Sequence, residues 1–595
     1  MNSRLLIHRF NRCLRSAFST NTKSRVAPTM ALLNGNIWTG NKEHPHAQAI
    51  ACVDDMITHV GSNSDVLSLL DTHKDSQTQI LDAQGKFVIP GFIDSHIHFI
   101  MGGQRLSSVQ LSDAQTRNEF IQRIKDFAAV QPRGKWILGG EWDHTLWPQE
   151  ERELPTRAWI DKVTPDNPVW INRKEGHMFL ANTLALQQAG YADFSTIPDV
   201  EGGTVVRDGN GQPTGLFKDN AMNIVYSCVP QATQDEDDQA IEAATQYCFE
   251  NGVTSIHHLT EPPSRNRACV GDDISTFESA HKRGRLKIRA YVAVPIENWE
   301  ILRNRLALPG AWRGDKMLRI GAVKGYVDGS LGSHTAWFFD PYVDTPNYAG
   351  ETVNSESDLY RWIKGIDAAG MQVFIHAIGD RANHIALNIY ERVQRENGRK
   401  DRRWRIEHAQ HVASADFHRF RELGVIASVQ PYHAIDDGRW AESILGTQRC
   451  KNAYAFRSFQ NAGVHMAFGS DWFVAPPVPL LGIHAAVVRQ TLPTGNDNKL
   501  NNVFVPEQCV SVQQALYSYT LGAAYSVHEE GIKGSIAVGK LADFAILDHD
   551  LFTVRKEFIE HVKVEKTVLG GKLVYEGQPH QRVVHCGIGT CYTCS

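Results

Sequence analysis

Short apolar runs, each closed by a polar or charged residue, recur along this chain. Gly-Phe-Ile-Asp-Ser-His-Ile-His-Phe (91–99), Ile-Gly-Ala-Val-Lys-Gly-Tyr (320–326), Met-Gln-Val-Phe-Ile-His-Ala (371–377), Trp-Arg-Ile-Glu-His-Ala (404–409) and His-Met-Ala-Phe-Gly-Ser-Asp-Trp (465–472) all read as β-strands. Helical spacing lies between them. Leu359, Ile363 and Ile366 recur ahead of Gly370, and Phe417, Phe420 and Leu423 ahead of Gly424, with each glycine placed to end its helix. Counting back from Asp471 puts strand 7 at Val-Ile-Ala-Ser-Val-Gln (425–430), strand 6 at His408, strand 5 at His376 and strand 4 at Lys324. Strand 3 is then Ile-Arg-Ala-Tyr-Val-Ala-Val (288–294) and strand 2 Val-Thr-Ser-Ile-His-His (253–258). This alternation predicts an α/β fold, a distorted (β/α)8 barrel over residues 89–527.

Two features fall outside a minimal barrel. Residues 100–245 separate strands 1 and 2, far more than one crossover helix needs, so they form an insertion with structure of its own beside the catalytic face. Residues 31–88 alternate apolar and polar positions around an Asp54-Asp55 corner, and similar segments return over 528–580 (Ala-Asp-Phe-Ala-Ile-Leu, Lys-Leu-Val-Tyr-Glu-Gly). The two ends are expected to pair into one β-sandwich flanking the barrel.

The residues that close the strands carry the candidate chemistry. Strand ends of such a barrel converge on one face, so ligands distant in sequence meet there. His96 and His98 are two apart on one strand and share a face. With Lys324, His376, His408 and Asp471 they make a set suited to zinc or a similar divalent ion.

These segments closely resemble the metal-dependent amidohydrolase superfamily, and in detail amidohydrolase family 3, which includes N-substituted formamide deformylase. The resemblance rests on Val-Ile-Pro-Gly-Phe-Ile-Asp-Ser-His-Ile-His-Phe (88–99), Asp-Gly-Ser-Leu-Gly-Ser-His-Thr-Ala (328–336), His-Ala-Ile-Gly-Asp-Arg-Ala (376–382), Arg-Ile-Glu-His-Ala-Gln (405–410), Gly-Ser-Asp-Trp (469–472) and Lys-Gly-Ser-Ile-Ala-Val-Gly-Lys-Leu-Ala-Asp-Phe (533–544). It implies that His96, His98 and Asp471 bind the more buried metal and that His376 and His408 bind a second. Lys324 occupies the position where many members carry a carboxylated lysine bridging two ions. An ammonium beside two cations is repelled and desolvated, so its pKa falls and the neutral amine captures carbon dioxide. One or two ions per chain remain open at this point, as does the lysine's modification.

The resemblance also marks Gly-Gly-Glu-Trp-Asp-His (139–144) and Asn-Arg-Lys-Glu-Gly-His (172–177) as pocket segments; the second has Glu175 where the family form has Asp. His177, Trp142 and His258 are the candidate substrate contacts. Trp147, Trp337, Phe338, Phe339 and Trp472 would add an aromatic wall. The expected reaction is hydrolysis of a C–N bond in an amide, formamide or cyclic amide, with a metal that acidifies its water and polarises the carbonyl. Asp471 serves as general base and then acid. Asp94, Glu407 and Gln410 are candidates to orient the ligands. Alternation puts Glu407 on the opposite face from His408, which favours Gln410. Ester, lactone or phosphoester hydrolysis at the same site is the alternative, and a non-catalytic relative the other.

Composition narrows the partners. Of 595 residues 42% are apolar and 21% charged, as in soluble globular proteins. A net charge of −5 leaves no basic footprint for nucleic acid, and no run approaches the roughly 18 apolar residues that span a bilayer. A small-molecule partner is expected, with a homodimer left open. Residues 1–30 are basic and serine-rich, with Glu43 the first acid, and resemble a mitochondrial transit peptide; a cytoplasmic enzyme starting near Met30 is the alternative. Cys586, Cys591 and Cys594 cluster with His585 in the tail 581–595 without a second ligand pair at zinc-site spacing, so a reactive tail is expected.

Overall fold

The computed structural model describes residues 26–577 apart from 75–76, 145–146, 174–177, 201–202, 231, 261–272, 308–313 and 493–501. Residues 1–25 of the expected leader, the cysteine tail and His177 therefore lie outside the described residues, while Met30 already opens a strand, Met30–Leu33. Eight parallel strands form one sheet in consecutive order. They are β1 (Phe92–Ile97), β2 (Val253–Leu259), β3 (Arg289–Pro295), β4 (Leu318–Tyr326), β5 (Gln372–Ala377), β6 (Arg405–His408), β7 (Ile426–Val429) and β8 (Met466–Phe468). β8 ends early, and closure onto β1 comes from a single parallel bridge between Ile97 and Trp472. The sheet is thus a nearly closed, distorted barrel, as the alternation predicts.

Helices Glu356–Ala368 and Phe417–Leu423 bury the expected stripes, and Gly370 and Gly424 turn left-handed just beyond them. At β1 a helix Phe99–Leu106 follows directly and packs on the helix Gln234–Glu250 that leads into β2. Gly103 allows that approach, because a Cβ there would sit 2.0 Å from the carbonyl oxygen of Ala240. Between these helices runs a separate six-stranded sheet, from Val109–Gln110 to Pro213–Asp219, with apolar clusters of its own.

The two chain ends meet in one sheet. Phe544–Leu547 pairs antiparallel with Phe87–Pro90, and Asn36–Trp38 continues the same sheet. A second, four-stranded sheet faces it across Leu32, Ile50, Ile57, Val88, Phe544 and Val568, which completes the sandwich read from the sequence.

Candidate metal centre

Asp94, Gly469 and the ends of β1 and β8 build the floor of the site. Asp94 Oδ1 accepts the amides of His96 (3.1 Å) and Ser470 (3.0 Å), pinning the two strand ends together. Burial pushes its carboxyl up to about 6. Gly469 admits this contact, since a Cβ would lie 2.5 Å from the amide nitrogen of His96. Beyond it Asp471 takes a left-handed φ of 59° and donates its own amide to the His96 carbonyl at 2.7 Å. A non-glycine residue in that region is strained, and here the strain aims the carboxylate inward.

Three side chains then converge. Donor atoms of His96, His408 and Asp471 all lie within 4.8 Å of one another. Asp471 Oδ1 is 3.1 Å from Nε2 of both His96 and His98. The rings of His408 and His376 are 4.5 Å apart, and those of His408 and His96 are 4.9 Å apart. The group of three therefore joins His408 to His96 and Asp471, across the division into two ion sites that the resemblance implies.

Hydrogen bonds on the far side of each ring decide which nitrogen faces the centre. Carbonyls only accept, so His98 donates through Nδ1 to Leu259 O (2.8 Å) and His376 through Nε2 to Gly329 O (3.0 Å). His96 donates through Nδ1 to Glu407 Oε2 at 2.7 Å. Each ring is left with a lone pair on its other nitrogen. Burial holds the His408 imidazole well below its usual range, helped by the neighbouring His376. Burial alone would raise the Asp471 carboxyl, yet with no ion bound a proton on His96, His98 or His408 holds it well below the ordinary carboxylate range.

The donor set fits a divalent ion on this structure's own terms. Among the described residues, His96 Nε2 and His408 Nδ1 are buried without hydrogen-bond partners. Neutral imidazoles beside an ionised carboxylate are the ligands zinc takes.

Lys324 ends near the same centre. It is 1% exposed, its Nζ lies 4.7 Å from the centroid of the Tyr326 ring, and its charge contributes to lowering His408. The buried Asp328 accepts the amides of Trp337, Ile378 and Gly379, and burial pushes its carboxyl up to about 7. It thereby ties the loop after β4 to the end of β5 beside His376.

Four expectations need correction. Glu407, not Gln410, orients a ligand: Gln410 bonds His411 and Asp437 instead. Alternation failed at β6 because His408 has a φ of 69°, which swings it out of the pleat so that neighbours in sequence both reach the centre. Arg405 holds Glu407 from below with paired bonds of 2.6 and 2.8 Å and also reaches Ser95 O and His257 Nδ1. His258 turns to the helical layer, where the Phe99 amide and Asp273 engage its two nitrogens and Phe277 packs on its ring. Trp142 lies in the core of the insertion, its indole donating to Ile171 O and its ring against Phe120.

The aromatic wall is also not as expected. Trp147 packs on Phe120, Trp472 on Tyr247 and Phe338 on His411, while Phe339 is exposed. Phe473 and Tyr326 instead sit beside His98 and His376. His433, on the helix Pro431–Asp437 after β7, approaches Asp471 and escaped sequence reasoning. Its signal was its place, just past a strand end on the face where the other ligands gather.

The model of the amidohydrolase family matches residues 79–575. The Arabidopsis thaliana protein LONG AFTER FAR-RED 3 is 37% identical over 555 residues, 92% of each chain. N-substituted formamide deformylase of Arthrobacter pascens is 26% identical over 566 residues, 92% of this chain and 98% of that one. Among solved structures, a metal-dependent hydrolase from Pyrococcus horikoshii superposes with a TM-score of 0.72 at 27% identity, covering 89% of this chain and 99% of its own.

Proposed function

The chain belongs to the amidohydrolase family, and on that premise we propose that it hydrolyses a C–N bond of a small amide, formamide or cyclic amide. The observation that carries this reading is the convergence of His96, His408 and Asp471 within 4.8 Å on the face where the barrel strands end. His96, His98, His376, His408 and Asp471 would hold one or two divalent ions, zinc first. A divalent ion bound there acidifies water and polarises the scissile carbonyl.

The chain's own groups do the rest. Asp471 Oδ1 faces the two β1 histidines, which leaves Oδ2 to take a proton from the attacking water. Water oxygen bonds to the carbonyl carbon, the C–N bond breaks, and Asp471 returns the proton to the leaving nitrogen. The products are a carboxylic acid and an amine. Glu407 and Arg405 keep His96 in the tautomer that presents Nε2 to the centre. Lys324, buried at the end of β4, carries in this reading a carbamate formed with carbon dioxide.

Metal analysis of the purified protein, followed by assay of N-formyl amines, N-acyl amines, cyclic imides and aryl esters, tests the proposal. Turnover of at least one C–N substrate that disappears with metal removal supports it. Cleavage of the esters alone, or no turnover by metal-loaded protein, rejects it.

A further inference from the structure

The carboxylate of Asp471 divides between two neighbourhoods. Oδ1 lies 3.1 Å from Nε2 of both His96 and His98, whereas Oδ2 lies 3.9 Å from Nε2 of His433. That separation is too long for a hydrogen bond. Among the described residues His433 Nε2 has no hydrogen-bond partner, although the atom is buried. A buried polar atom left without a partner is costly, and a bound group that pairs with it recovers that cost. The His433 ring lies nearly parallel to that of His408, with centroids 6.3 Å apart and an interplanar angle of 13°.

Its helix holds it in that place. Pro431 opens the helix Pro431–Asp437 directly after β7. Asp437, four residues after His433 and on the same helical face, accepts the Tyr454 hydroxyl at 2.6 Å and Gln410 Nε2 at 3.0 Å. Those bonds anchor the face that carries His433 toward Asp471.

We propose that His433 is a further catalytic residue. Its Nε2–H donates a hydrogen bond to the carbonyl oxygen of the substrate, and that bond strengthens as the oxygen gains negative charge during water addition. No proton leaves His433; the water's proton travels to Asp471 and on to the leaving nitrogen. His433 Nε2 is nearest Oδ2, the Asp471 oxygen to which the proposed function gives the water's proton, which sets it beside the reacting group. The proposal rests on the amide-hydrolase reading for the identity of that oxygen.

The test compares zinc-loaded full-length wild type, His433→Leu and His433→Gln. Zinc content is measured by mass spectrometry, and turnover with 4-nitroformanilide or the fastest substrate found. Calorimetry measures binding of methylphosphonate, a tetrahedral anion. His433→Leu should keep its zinc, lose about a hundredfold in kcat with KM little changed, and bind methylphosphonate about tenfold more weakly. His433→Gln, which keeps an N–H donor, should recover part of both losses. Zinc lost in step with activity would make His433 a ligand, and unchanged kcat and anion affinity would make it a packing residue; either overturns the proposal. If wild type cleaves no C–N substrate but His433→Leu weakens methylphosphonate binding at full zinc, the proposed function falls and the oxyanion role stands. Wild type that neither binds the anion nor turns over substrate removes both.

Discussion

Glu407 Oε2 lies 2.7 Å from Nδ1 of His96, joining the middle of the barrel to its first strand across 311 residues of sequence. The contact fixes the imidazole's tautomer, and Arg405 in turn fixes the carboxylate, holding it well below its usual range against the effect of burial. Glu407→Gln keeps the shape but weakens this chain of bonds. Metal affinity, measured by chelator competition, should fall about 10–100-fold. Unchanged affinity would mean that Glu407 serves only to neutralise Arg405.

Replacing His96 and His98 together by Ala removes both donors that meet Asp471 Oδ1. Metal content and turnover should both vanish while the circular dichroism of the barrel persists. Full zinc in the double variant would dismiss this centre as the metal site.

Asp471→Asn retains the size of the side chain and loses its capacity to accept the water's proton. Turnover should drop by roughly a hundredfold or more at saturating substrate, with zinc content measured in parallel. Near wild-type turnover would assign the proton to another residue.

Lys324 cannot reach solvent from its place at the end of β4, where it is 1% exposed. Lys324→Ala should lower metal content, and small carboxylic acids should restore part of it by standing in for the proposed carbamate. A crystal of metal-loaded protein equilibrated with carbon dioxide should show density for the modified side chain. An unmodified amine in that crystal would favour a single-ion site.

His411 is pushed down to about 3 by burial, with a smaller effect from Arg449, so it stays neutral in the folded protein while the unfolded chain binds a proton near pH 6.5. The unfolded state therefore holds more protons below that pH. Stability from this residue is complete above about pH 6.5 and declines toward pH 3, by about 1.4 kcal/mol per unit. Urea unfolding between pH 7.5 and 5 should show His411→Asn with a shallower loss of stability than wild type at equal metal content. Parallel curves would show that His411 does not carry the dependence.

Much of the architecture was legible from local pattern. Short apolar runs and helical stripes such as Leu359, Ile363 and Ile366 report burial against neighbouring layers, and the strand count from Asp471 back to His96 follows from them. The convergence of His96, His408 and Asp471 was readable for the same reason, because a barrel delivers every strand end to one face.

Side-chain direction beyond the regular strands was not legible. Alternation holds only while φ stays in the β region, and His408 and Asp471 both leave it, at 69° and 59°. That departure brings Glu407 and His408 to one centre and lets Gln410 turn away to Asp437. His258 and Trp142 read as pocket residues from their segments, but hydrogen bonds to Asp273 and Ile171 O draw them into the helical layer and the insertion core. The sequence by itself determined the family, the barrel and which polar residues stand at the strand ends. Only the tertiary structure decided which of them share a partner and brought His433 toward Asp471, since such contacts depend on backbone angles and packing between segments that local periodicity does not encode.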